Sequence, residues 1–154
     1  MANRYAVASD ALATAATTDH VGALLWNPHG TKSIYVREVH VFSTAATQQH
    51  PALIRTSTAG TTPTSTVTPD ADNAFDRRAV PPSGALLYGA TWAAQPTVQG
   101  PYLARTTLPA AIGAAVMWSF LDTAVEVPAG TGLAVATPIA TALQANRYTF
   151  IWDE

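Results

Sequence analysis

Ser33-Ile34-Tyr35-Val36-Arg37-Glu38-Val39-His40-Val41-Phe42-Ser43 is the stretch whose pattern decides the fold. In an extended chain, side chains alternate between two faces with a period of two. Ile34 and Val36 share one face, whereas Val39 and Val41 have the other parity, and the change falls at the adjacent charges Arg37 and Glu38. A one-residue bulge at that pair puts all four aliphatic residues on one face. The other reading buries the strand on both sides, with Val36 and Phe42 turned toward a second layer. Both readings make this a strand of a sheet that must be covered.

The C-terminal run Arg147–Trp152 alternates without interruption. Tyr148, Phe150 and Trp152 share one face, and Arg147, Thr149 and Ile151 the other. Each aromatic buries on the order of 150–250 Å². At about 25 cal/mol per Å² that is roughly 4–6 kcal/mol of gross burial each. These three residues are therefore core, the strand is central, and only Asp153 and Glu154 are left as a free tail.

Strands are also expected over Arg4–Ala8, Gly22–Trp26, Ala52–Ser57, Ala85–Thr91, Tyr102–Thr106, Ala115–Leu121, Ala124–Val127 and Gly132–Ala136. Turn signals separate them, drawn from 11 Pro and 9 Gly. No helical pattern is long enough for the crossovers of a parallel sheet. Ser9–Ala16 reads as a helical turn capped by Ser9 or Asp10, or equally as an extended arm. The fold class is all-β: an antiparallel β-sandwich, jelly-roll-like, with about 8–10 strands and long loops. Residues 1–18 form an N-terminal arm or edge strand, and residues 19–154 a single sandwich domain.

A chain of 154 residues buries roughly 70% of its unfolded surface, enough to fold unaided. It has no cysteine, which excludes disulfides, thiolate metal sites and cysteine nucleophiles. The N-terminus lacks the sustained apolar run of a signal peptide. Leu108–Leu121, interrupted by Pro109 and Gly113, is too short for a membrane helix. Charged residues are 12% of the chain and the net charge is -2, against about 25% charged in an ordinary domain. No basic patch offers itself to nucleic acid. Low charge leaves a Thr-rich neutral surface, or one largely committed to subunit contacts, where charge is depleted.

Residues Ala59–Pro82 read as a long surface excursion with a Thr/Ser tract at Thr61–Thr68. Its charged end carries Asp70, Asp72, Asp76, Arg77 and Arg78, a candidate surface-contact loop. A calcium reading of the aspartates fails on spacing. A helix–loop–helix calcium loop needs Gly sixth and Glu twelfth, and from Asp70 those positions hold Phe75 and Pro81. Ala93–Pro101 reads as a second loop.

His20, His29 and His50 fall in expected turns and His40 on the polar face of its strand, without the spacing of a metal pair. No nucleophile elbow or phosphate-cradling glycine loop is present, since Ser83-Gly84 follows two prolines rather than a strand. Glu38, Glu126 and Glu154 do not form an evident acid pair. The sequence points to no enzyme, metal or cofactor. Trp92, Trp118 and Trp152 are either a sugar-stacking platform or core, and core is the commoner fate of tryptophan in strands.

Two regions carry a resemblance. Leu24–Val41 (LLWNPHGTKSIYVREVHV) runs strand, Asn-Pro-x-Gly turn, long strand. The C-terminal half has LARTTLP from Leu103, then VEVPAGTGLAV from Val125, then YTFIWDE from Tyr148. This order resembles small virion proteins of tailed bacteriophages with a jelly-roll or similar sandwich, including head decoration (cement) proteins. The motifs mark turns and core, so no site residue is carried over. The resemblance implies a structural virion protein made in the host cytoplasm. It would sit on the capsid exterior as a homotrimer, bound to itself and to the major capsid protein, with Met1–Thr18 as a possible arm. A phage fibre or tail-associated module recognising a carbohydrate or host surface is the alternative.

Overall fold

The structure is a computed structural model and describes residues 3–14, 19–75, 81–139 and 144–154. Twelve strands and one 3-10 turn, Ala71–Asn73, make up its regular elements, with no α-helix among the described residues. The strands are β1 (Arg4–Ala8), β2 (Leu12–Thr14), β3 (His20–Asn27), β4 (Ile34–Ser43), β5 (Ala52–Thr56), β6 (Thr61–Val67), β7 (Ala85–Ala94), β8 (Val98–Arg105), β9 (Ala115–Ser119), β10 (Val125–Val127), β11 (Thr131–Thr137) and β12 (Gln144–Asp153). They form two antiparallel sheets. In the first the order is β1-β12-β4-β10, with β2 on β12 and β9 on β4; in the second it is β6-β7-β3-β11-β5-β8.

With the β6–β7 hairpin and β2 set aside, and β9 and β10 counted as one broken strand, eight strands remain. By sequence rank they run 1-8-3-6 in one sheet and 2-7-4-5 in the other. That interleaving is the winding of a jelly roll, in which each sheet takes alternate parts of two Greek keys.

The bulge in β4 is present. Pairing with β12 runs from Asn146↔Ser43 to Ile151↔Glu38, then jumps to Trp152↔Val36, leaving Arg37 as the extra residue. Ile34, Val36, Val39 and Val41 consequently all face the core and are at most 1% exposed. The reading that buried the strand on both sides is set aside by Phe42, which is 42% exposed.

The core between the sheets joins these residues to Tyr148, Phe150, Trp152, Leu25, Leu86 and Leu133, among others. Strand β12 lies between β1 and β4, as its three aromatics require. Burial lifts the Tyr148 hydroxyl from its ordinary 10.0 to about 12, against a small opposing hydrogen bond from Asn146. Between those values the unfolded tyrosine ionises while the folded one stays neutral, so stability falls as pH rises through that window. Denaturant midpoints compared at pH 9 and pH 11 should show a smaller alkaline loss for Tyr148→Phe than for the parent. At neutral pH the variant should change stability by no more than about 1 kcal/mol.

One of the two sheets is curled into a half-barrel, and in the second the central strands β3, β11 and β5 are buried on both faces. Val21, Leu24, Ile54, Ala134 and Ala136 point away from the main core, yet lie at most 3% exposed under Trp26, Leu87, Trp92, Val98 and Tyr102. The near-continuous apolar run in β3 fits a strand buried on both sides. Trp92 Nε1 donates to the Val21 carbonyl at 2.8 Å, and the Val21 N–H donates to Gln95 Oε1 at 3.0 Å, fastening the end of β7 to the neighbouring β3.

The turn motifs have physical roles. Buried Asn27 donates to the carbonyls of Lys32 at 2.8 Å and Val127 at 3.0 Å, joining the two sheets. Gly130 has φ 69° in the turn before β11. At Gly132 a Cβ would lie 2.3 Å from Leu24 Cδ1 and 2.7 Å from Thr56 Oγ1. The Pro-x-Gly-x-Gly-Leu segment therefore records a left-handed turn followed by close strand packing.

Two sequence expectations are corrected, and one alternative is decided. Of the two readings of Ser9–Ala16, a helical turn or an extended arm, Leu12–Thr14 follows the extended one and pairs with β12 from Gln144↔Thr14 to Asn146↔Leu12. Thr61–Val67, read as part of a loop, is an edge strand on β7. Its β-branched residues favour an extended chain, and the sheet edge tolerates Pro63. The second loop shrinks to a short link, because β7 reaches Ala94 and β8 begins at Val98.

Candidate functional site

The outer face of the first sheet follows from the bulge. The parity that turns Val36, Val39 and Val41 inward turns Tyr35, Glu38, His40 and Phe42 outward. In register beside them on β12 lie Asp153, Ile151, Thr149 and Arg147. Beyond β4, Ser119, Met117 and Ala115 of β9 continue the rows from Glu38, His40 and Phe42. Arg4, Ala6 and Ala8 of β1 continue those of Asp153, Ile151 and Thr149.

One end of this face is held by an ionic cluster. Asp153 receives Arg4 Nε on Oδ1 at 2.8 Å and Arg37 Nε on Oδ2 at 2.7 Å. Burial pushes the Asp153 carboxyl up, but the hydrogen bonds from Arg4 and Arg37 outweigh it and hold it below its ordinary 3.8. The bulge places Arg37 at this carboxylate. Midway along the face, His40 Nε2 and Glu38 Oε2 are 2.8 Å apart.

Six large apolar side chains stand exposed on or around this face: Tyr35, Phe42, Phe75, Ile112, Met117 and Leu121. Phe75 shares a shallow depression with Arg4, Glu38, Ile151 and Asp153. Ile112 shares another with Phe42, Arg147 and Thr149. Leu121 follows β9, and its carbonyl accepts from Arg37 Nη1 at 3.3 Å. The other two large exposed apolar residues of the described chain, Leu103 and Ile139, lie elsewhere. This concentration on one sheet face makes it the candidate contact surface.

Asp70 and Asp72 lie beside this face but do not line it. Asp70 Oδ1 accepts the Asp72 N–H at 2.9 Å, and Asn73 Oδ1 accepts the Asp70 N–H at 3.0 Å. Both bonds shape the turn that docks on β1, where the Phe75 N–H donates to the Arg4 carbonyl at 2.8 Å. Asp76, Arg77 and Arg78 lie outside the described residues. Tyr148, Phe150 and Trp152 are core, as their alternation requires.

The three tryptophans do not assemble into a platform. Trp152 is fully buried and stacked on Tyr5 at 5.7 Å. Trp118 packs on the main core, and Trp92 covers the outer side of the second sheet. His20 is not in a turn: it starts β3 and is buried, which lowers its pKa against a backbone hydrogen bond with Gly89. His29 caps its turn, its Nδ1 accepting the N–H groups of Thr31 and Lys32. Among the described residues no three of His, Asp and Glu gather as a metal site, and no helix is long and apolar enough to cross a membrane.

The supposed free tail is anchored. Besides the ion pairs of Asp153, Glu154 Oε1 accepts from Trp152 Nε1 at 3.1 Å and from the Gly84 N–H at 3.0 Å, while Oε2 accepts from the Ser83 N–H at 2.8 Å. Parity alone places Tyr35 and Phe42 outside once the bulge is accepted. No comparable local signal announces the Asp153 cluster, whose partners lie 149 and 116 residues away.

The fold and this face define an antiparallel β-sandwich with one exposed, mixed apolar and ionic sheet surface. Comparison of the chain with protein-family models, curated proteins and solved structures finds no match.

Proposed function

We propose that this chain is a structural protein acting through protein–protein contacts: a virion protein that decorates and stabilises a bacteriophage capsid, assembled as a homotrimer and bound to the major capsid protein. The observation that carries this reading is the gathering of six large exposed apolar side chains around one sheet face, on a chain only 12% charged. Contact surfaces lose charge and gain aromatic residues and Met at their centres. The likeness of the Asn-Pro-x-Gly and Pro-x-Gly-x-Gly-Leu segments to phage virion proteins supplies the setting. The alternative of a carbohydrate-binding fibre module drew on the three tryptophans, which lie apart.

Purified particles of the phage encoding the chain provide the test. Protein-specific antibody should label the capsid exterior in electron micrographs, and the chain should be present in many copies per particle. Absence from the particle, or label confined to the tail tip, would sink the proposal.

A further inference from the structure

We infer that the outer face of the first sheet is the surface through which copies of this chain meet each other. This rests on the reading above that the chain self-associates. Three features of the face favour a second copy over an unrelated partner.

The first is size. Strands β1, β12, β4 and the β9/β10 pair contribute 5, 10, 10 and 8 residues, each covering about 3.4 Å along the strand and about 4.8 Å across it. That footprint, about 540 Å² before the rim of Phe75, Ile112 and Leu121 is added, is about two thirds of the roughly 800 Å² per partner of a stable interface.

The second is the layout. Phe42 and Ile112 lie toward one end, and Tyr35, Phe75 and Leu121 toward the other, with Glu38 and the Thr149, His40 and Met117 row between them. A copy of the same face turned about a two-fold axis therefore sets apolar ends against apolar ends, the self-complementarity of an isologous contact, which pairs copies two at a time and is separate from the three-fold contact of the proposed trimer.

The third is charge. Arg147 is exposed beside Phe42 and makes no ion pair with a described residue. Glu38, partly exposed, lies two rows away on the same face. A copy of the face brings a carboxylate to Arg147 and a guanidinium to Glu38. The outer side of the second sheet offers no equivalent, because Trp92, Tyr102 and their neighbours already cover its apolar residues.

The test measures molar mass by light scattering and sedimentation across micromolar concentrations, with circular dichroism and thermal melting as checks on folding. The parent chain should be multimeric. Phe42→Asp combined with Met117→Asp should weaken assembly by roughly tenfold or more, while Leu103→Asp on the second sheet should leave it intact. Arg147→Glu, at an exposed position that folding does not need, should weaken assembly alone, as should Glu38→Arg, and the two together should restore it. A parent that assembles while the face variants assemble equally well overturns this inference and leaves the structural role standing. A monomeric parent overturns the self-association reading itself. A monomeric parent that pellets with capsids through this face assigns the face to another protein, which also overturns the inference.

Discussion

Trp152→Ala is expected to cost about 3–5 kcal/mol of folding stability, the usual loss for removing a buried tryptophan. Trp152 is fully buried, stacked on Tyr5 with centroids 5.7 Å apart and in the central strand of its sheet. Its ring is also near the Gly84 Cα, where an added Cβ would lie 3.4 Å from it and from Leu25 and Ile34. Truncation thus opens a cavity at the meeting point of β12, β4, β3 and the turn before β7, and the backbone of two hydrogen-bonded sheets cannot collapse into it. The indole N–H is lost as well, so Glu154 loses one of its donors. The thermal midpoint should drop by on the order of 10 °C. Urea denaturation followed by far-UV circular dichroism measures the loss directly. Trp118→Ala is the internal comparison, because Trp118 is only partly buried against the same core and should cost less. A loss below about 1 kcal/mol for Trp152→Ala would mean that the faces of β12 are reversed.

The same alternation made much of the architecture legible in the sequence. Tyr148, Phe150 and Trp152 at period two identify a central strand without any tertiary information. The parity break at Arg37-Glu38 identifies a bulge, because four aliphatic residues are worth more together on one face than divided. What escaped has equally physical reasons. In β6, Thr and Ser occupy both faces of an exposed edge, so no hydrophobic alternation exists to detect, and composition alone reads as loop. The second sheet's outer core looked like an ordinary apolar run, since whether Leu24 and Ile54 are covered depends on the side chains packed over them. The candidate surface was legible only in part. Phe42 and Phe150 both sit in alternating strands, and what makes one exposed and the other buried is the layer packed against it. The charged loop stood out in the sequence because its residues are neighbours. The Asp153 cluster stayed hidden because its partners are joined by sheet register, through Arg4↔Asp153 and Tyr35↔Asp153.

Asp153→Asn is expected to destabilise the protein by about 2–3 kcal/mol at neutral pH, in the range for hydrogen bonds to charged groups. The carboxylate side chain is 10% exposed and serves two guanidiniums. An amide is neutral, and it offers one acceptor where three N–H bonds now converge. The loss stays below that of a fully buried pair because Arg4 and Arg37 keep access to water and are partly screened. The effect must also depend on pH, with a defined sign. The folded carboxyl titrates below its ordinary 3.8, so between the two values the unfolded chain holds a proton that the folded chain does not. Stability contributed by the cluster is therefore complete above about pH 4 and drains away as pH falls through the folded value. Parent and Asn variant should differ most near neutrality and converge as pH falls below 3.8. A constant gap across that range would show that Asp153 acts by packing and not by charge. If the gap closes, the ion pairs account for it, and the bulge has a second use: the extra residue that returns Val36 and Ile34 to the core is Arg37, which reaches the Asp153 carboxylate. The strand that closes the sheet is then held at its last residues by groups from β1 and β4, which couples the chain ends to the same face proposed to carry assembly.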